Sequence, residues 1–154
     1  MQTKLEVYNV NPKGKKKGDC VVRAIAYASG QTWEKTLDDL VEIAKKECCM
    51  PNDQTAYEKY LDKLGFIKHK QPRTEDNLKY TVLESYLIID SNKYDVVVSV
   101  ANHLTCLDNN KIIDTWNCGN KCIGNYWTRP KREETVRPKN CVKDKDRKVR
   151  IYVL

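Results

Sequence analysis

Hydrophobic spacing changes character once along this chain of 154 residues, and that switch limits the fold more than any other feature. Through the first half, apolar residues recur every three or four positions, the period of a helix with one buried face. The run Cys20-Val21-Val22-Arg23-Ala24-Ile25-Ala26-Tyr27-Ala28 is interrupted only at Arg23 and Tyr27 and is closed by Ser29-Gly30. It predicts a helix buried nearly all round, with Asp19 as its N-cap. Thr32 caps a second helix over residues 33–46, striped by Leu37, Leu40, Val41 and Ala44. Tyr57, Tyr60, Leu61 and Leu64 stripe a third, over 53–64, which Gly65 stops. Thr81-Val82-Leu83-Glu84 reads as a capping box that opens a fourth helix reaching Ile89.

After that the pattern becomes β. Residues 94–101, YDVVVSVA, are short and β-branched like a buried strand, and 102–107 continue beside them. Asp108-Asn109-Asn110 is a turn, so Lys111-Ile112-Ile113-Asp114 returns as the partner of a hairpin. Short strands are also expected at 4–10 and 149–154. Helices followed by an antiparallel sheet make an α+β domain in which the two halves face each other.

Apolar residues at 40% and charged residues at 32% suit a folded chain rather than a disordered one. The expectation is one domain over residues 1–154, with the basic segment 129–150 included. The opening MQTKLEVYNV has no apolar stretch of the kind a secretion signal needs, and no run is long enough to span a bilayer. A cytoplasmic setting is therefore expected, in which most of the seven cysteines are free thiols. No membrane partner and no cofactor are called for. The net charge of +7 is concentrated in Lys13, Lys15, Lys16 and Lys17 and in 129–150, where ten Lys/Arg face four Asp/Glu. Both basic segments read as solvated surface.

A thiol attacks only as thiolate, and it needs help to ionise at neutral pH. The positive end of a helix gives Cys20 one source of help, and a histidine must give the other. His69 sits in Lys68-His69-Lys70, a polar loop. His103 follows a buried strand and faces the helical half, so it is the candidate base. Asp114 ends the return strand of the same hairpin, where it can orient the imidazole.

The segments Gly18-Asp19-Cys20-Val21-Val22-Arg23-Ala24-Ile25-Ala26, Asn102-His103-Leu104-Thr105 and Lys111-Ile112-Ile113-Asp114-Thr115-Trp116 resemble the small papain-like cysteine peptidases of bacteria and bacteriophages, bacteriocin-leader peptidases among them. The resemblance spans about residues 10–127. It implies a papain-like fold with Cys20 as nucleophile, His103 as general base and acid, and Asp114 as the imidazole-orienting group. It also implies a protein or peptide substrate cleaved through an acyl-enzyme. Many relatives place a glutamine six residues before the cysteine to complete the oxyanion hole. Here that position is Gly14, and Asn11 is the nearest upstream amide that could replace it. Trp116 is expected to wall the cleft.

Two other readings share these residues. The same fold supports amide hydrolysis of a non-peptide substrate, or acyl transfer. A non-enzymatic module is the other: zinc on Cys118 and Cys122 with Cys106, His103 or Cys141, or nucleic acid on Tyr126-Trp127-Thr128-Arg129 with Lys131 and Arg132. Zinc is disfavoured because structural sites use two matched Cys-x-x-Cys knuckles, and nucleic acid is not favoured either.

Overall fold

The switch in period becomes a helical layer laid on one face of a sheet. The computed structural model describes residues 2–133, 136–143 and 149–152. Strand β1 (Lys4–Val7) precedes helices α1 (Cys20–Ser29), α2 (Trp33–Glu47) and α3 (Gln54–Lys63). Strands β2 (Ile67–His69), β3 (Tyr94–Val100), β4 (His103–Asp108), β5 (Lys111–Asp114) and β6 (Tyr126–Pro130) follow. A 3-10 helix at Val82–Leu87 lies between β2 and β3, and β7 (Asn140–Lys143) and β8 (Val149–Tyr152) come last.

The mixed α+β class and the order of elements agree with the sequence reading, and the differences have identifiable causes. The six-stranded sheet runs β1-β5-β4-β3-β6-β2, and β1 joins β5 in parallel. The sheet is thus mostly rather than wholly antiparallel. A parallel neighbour needs a long crossover, and the intervening chain from β1 to β5 supplies one. Strand β1 stops at Val7 rather than continuing to Val10, because Tyr8 N–H still bonds Asp114 C=O at 2.9 Å while Asn9 N–H turns to the Asn140 side chain at 2.8 Å. The fourth helix is 3-10, although its capping box is present. The last strand pairs with β7 in a separate ribbon, and residues 153–154 of that expected strand lie outside the described residues, as do 134–135 and 144–148 of the basic segment.

Strand β3 is apolar on both faces because both are covered. Val97 joins Ile25, Leu40, Leu61, Leu104 and Trp127 beneath the helices, while Val96 and Val98 join Val82, Leu107, Ile112 and Ile123 on the opposite side. Helix α1 is the central element of the first layer, buried from Val21 to Ala28. It ends at Gly30, whose left-handed φ of 71° lets its N–H return to Ala26 and Tyr27 carbonyls.

Strands β2 and β6 change the meaning of two stretches. His69 is half-buried on β2, stacked on Tyr126 with centroids 4.6 Å apart and bonded to Thr128 Oγ1 at 2.8 Å, so it is not a solvated loop residue. Trp127 is 2% exposed, Arg129 pairs with Asp95, and Lys131 with Asp108. The suspected stacking and phosphate-binding side chains are therefore spent within the fold. The basic segment likewise holds internal structure. Arg137 reaches Asp95 at 2.8 Å and donates to the Tyr27 and Ala28 carbonyls at the end of α1. No helix among the described residues is long and apolar enough to cross a membrane.

Candidate active site

Each side chain of the site sits at the end of a regular element. Cys20 is the first residue of α1, His103 the first of β4 and Asp114 the last of β5. The hairpin turn fixes the relation of the last two. Asn109 and Asn110 both adopt positive φ (49° and 60°), the conformation of a two-residue hairpin turn. The resulting register pairs Cys106 with Ile113. One step further puts Asp114 across from Thr105, on the face that His103 shares two residues earlier.

Asp114 Oδ2 accepts a 2.6 Å hydrogen bond from His103 Nε2. That leaves Nδ1 for the thiol: Cys20 and His103 line both parts of one cleft, and each favours the charged form of the other. Asp114 Oδ1 is held by Thr115 N–H at 2.7 Å. Trp116 meets the imidazole edge-on, with centroids 4.9 Å apart and planes at 88°, and is 44% exposed. It lines one part of the cleft at Cys20.

These contacts set the charges. Burial opposes ionisation of Cys20, but the hydrogen bonds from His103 and the Leu104 backbone and the charges of His103 and Arg23 outweigh it, so its pKa falls below the ordinary thiol value. Burial also opposes protonation of His103. The bonds to Asp114 and Cys20 and the charges of both override it and raise the imidazole to about 9. Asp114 resists the effect of burial through His103 and Arg23 and stays below the usual carboxylate value. The shifts run in the direction of a thiolate beside an imidazolium. Cys106 and Cys118 go the other way, pushed up by desolvation, Cys118 to about 12.

Sequence reasoning missed the part played by Arg23. It is buried, and its Nε donates to Asp19 Oδ1 at 2.8 Å while Nη1 donates to Thr115 Oγ1 at 2.8 Å and lies 3.5 Å from Asp114 Oδ1. One guanidinium thus ties the head of α1 to the end of β5. The signal was present, since a lone charge in an otherwise apolar helix must find a partner when buried.

Asp19 corrects one expectation. It occupies the N-cap position but makes no side-chain cap bond. Its carboxylate instead accepts from Arg23, from Asn11 Nδ2 and from Trp33 Nε1, both of the latter at 2.9 Å. The first-turn N–H groups of α1 are not taken up by it. Asn11 corrects another: it is buried, with Nδ2 on Asp19 and Oδ1 accepting from the Lys13 and Lys15 amides. It lines neither part of the cleft at Cys20, so its geometry does not support an oxyanion role. Side-chain amides that do line the cleft are those of Asn52 and Asn102, which border both parts, and of Gln54, which borders one and donates to Glu58.

The donor atoms of His103, Asp114 and Cys118 lie within 4.8 Å of one another. This is not the cysteine set suggested by the sequence, for Cys122 is exposed and stands outside the cluster, as do Cys106 and Cys141. A cation there would compete with the His103–Asp114 hydrogen bond for the same atoms. Comparison with known protein families, curated proteins and solved structures finds no match to this chain.

Proposed function

We propose that the protein is a thiol hydrolase with Cys20 as nucleophile, and within that class a papain-like cysteine peptidase acting on peptide or isopeptide bonds. The observation that carries this reading is that His103, hydrogen-bonded to Asp114, shares one cleft with Cys20, and that each of the two favours the charged form of the other. The thiolate adds to the scissile carbonyl carbon, and the carbonyl electron pair moves to oxygen. The first-turn N–H of α1 and the amides of Asn52 and Asn102 are donors at the cleft that could serve that oxyanion. His103 passes its Nδ1 proton to the leaving amine as the C–N bond breaks, leaving a thioester. The neutral imidazole then takes a proton from water, whose oxygen attacks the thioester and expels the thiolate. Asp114 remains ionised throughout and holds Nε2–H.

Thiol labelling tests the first requirement. Iodoacetamide at pH 6, with modified peptides read by mass spectrometry, should alkylate Cys20 well ahead of exposed Cys48 and Cys122, because His103 favours its thiolate. Equal rates would sink the activated-thiol reading.

The two titrations predict different pH behaviour for two reactions. Hydrolysis needs thiolate and imidazolium together, so it should fall on the acid side as the thiol protonates and again above about 9 as His103 loses its proton. Alkylation needs only the thiolate and should show no alkaline fall. A matching alkaline limb in both reactions would refute the assignment of His103 as acid.

A further inference from the structure

The cleft is electrically lopsided about Cys20. One side, about 370 Å³, is lined by Val21, Tyr57, Ser99, Val100 and neutral amides, and no charged side chain but His103 touches it. The other, about 530 Å³, runs between Lys16, Lys17, Gly18, Thr115 and Trp116, with Arg23 behind them. No carboxylate lines that second half. The carboxylates close to it, Asp19 and Asp114, already face Arg23 and His103. Among the described residues neither Lys16 nor Lys17 forms an ion pair, and both are exposed.

The lysine loop is tied down rather than loose. Asn11 Oδ1 accepts from the Lys13 and Lys15 amides, Asn9 Nδ2 donates to Lys15 C=O at 3.0 Å, and Arg23 Nη2 reaches Lys16 C=O at 3.5 Å. Gly14 at φ 64° and Gly18 at φ 86° supply left-handed turns within it. The side chains of Asn11 and Arg23, both buried, therefore position the backbone from which two ammonium groups border the nucleophile. Of the four lysines in the loop, only Lys16 and Lys17 line the cleft.

We propose that the half of the cleft bordered by Lys16, Lys17 and Trp116 is a subsite for an acidic side chain of a polypeptide substrate, next to the bond cleaved at Cys20. This rests on the reading of Cys20 as nucleophile. A carboxylate entering there meets two cations and, apart from the Cys20 sulfur facing His103, no anion, and Trp116 borders it with apolar surface. Clefts lined by one sign of charge concentrate the opposite sign within them.

Two alkylating agents of nearly equal size test the charge, iodoacetate (anionic) and iodoacetamide (neutral). The Lys16→Glu/Lys17→Glu variant should lower the ratio of their Cys20 rates by about tenfold at low salt, and the difference should shrink at 0.5 M NaCl. The Lys13→Glu/Lys15→Glu variant carries the same change in net charge away from the cleft and should leave the ratio within about twofold. Equal effects in both variants, or none in either, overturn the proposal. The iodoacetamide rates alone report whether Cys20 is activated, so failure of the nucleophile appears there and not in the ratio. Digestion of a proteome-derived peptide mixture should show Asp or Glu enriched within two residues on one side of the cleaved bonds. The Lys16→Glu/Lys17→Glu enzyme should lose that enrichment; its absence in the wild type, or its persistence in the variant, also overturns the subsite.

Discussion

Replacing His103 with alanine should lower peptide hydrolysis by about 10²–10⁴-fold and, in the same protein, abolish preferential labelling of Cys20 at pH 6. Both losses follow from one imidazole. Burial is the largest influence on the Cys20 thiol, and it favours the neutral form. The hydrogen bond and charge of His103 are what reverse it. Without them the thiol should move back up, with only the Leu104 backbone and Arg23 left to oppose burial. Hydrolysis suffers a second time because no group is left to protonate the departing amine. The variant should fold normally, since His103 is only partly buried at the start of β4 and its backbone pairing with Val100 is retained. His69→Ala is the matched control, removing a contact to Thr128 on β6. Equal losses in the two variants would show that the effect is structural. Retained selectivity in His103→Ala would show that the helix terminus alone ionises Cys20.

The positions of Cys20, His103 and Asp114 were legible because each is fixed by local rules. A helix begins where an apolar 3.6-residue pattern begins, and a two-residue turn at Asn109-Asn110 dictates which residues of β4 and β5 share a face. What was not legible depends on contacts between residues far apart in sequence. The partner of a long charged side chain cannot be counted off by periodicity. Arg23 meeting Asp114 across 91 positions, and Arg137 meeting Asp95, emerge only when the sheet is assembled. Asp19 shows the same limit at short range. Its N-cap position was readable, but its carboxylate goes to Arg23, Asn11 and Trp33 because each offers a donor in a partly buried place. Strand β2 was hidden because it is only three residues long and half polar. Strand β6 was hidden because Trp127 and Arg129 resemble a binding surface until Asp95 is placed opposite Arg129 in register.

That last pairing is the basis of the largest stability effect expected outside the cleft. Asp95 is fully buried on β3 and holds two arginines. Arg129 Nε and Nη2 approach its Oδ2 at 3.2 and 3.0 Å, and Arg137 Nη2 its Oδ1 at 2.8 Å. The arginines in turn reach Leu64 C=O beyond α3 and the Tyr27 and Ala28 carbonyls at the end of α1, while stacking over Phe66 and Tyr27. Asp95→Ala strands two desolvated cations at the point where α1, α3, β3 and β6 meet. Removing one partner of a buried ion pair typically costs about 3–5 kcal/mol. Against a total stability of about 5–15 kcal/mol for a domain, that is a large share. Urea unfolding of Asp95→Ala should therefore show a strongly lowered midpoint. Lys35→Ala, which removes an exposed partner of Asp39 on α2, should cost under about 0.5 kcal/mol in the same experiment. Similar small losses in both variants would mean that water or rearranged neighbours satisfy Arg129 and Arg137 without Asp95. A large loss confined to Asp95→Ala, with His103 titration unchanged in the folded fraction, would separate the knot that anchors the tail of α1 from the chemistry at its head.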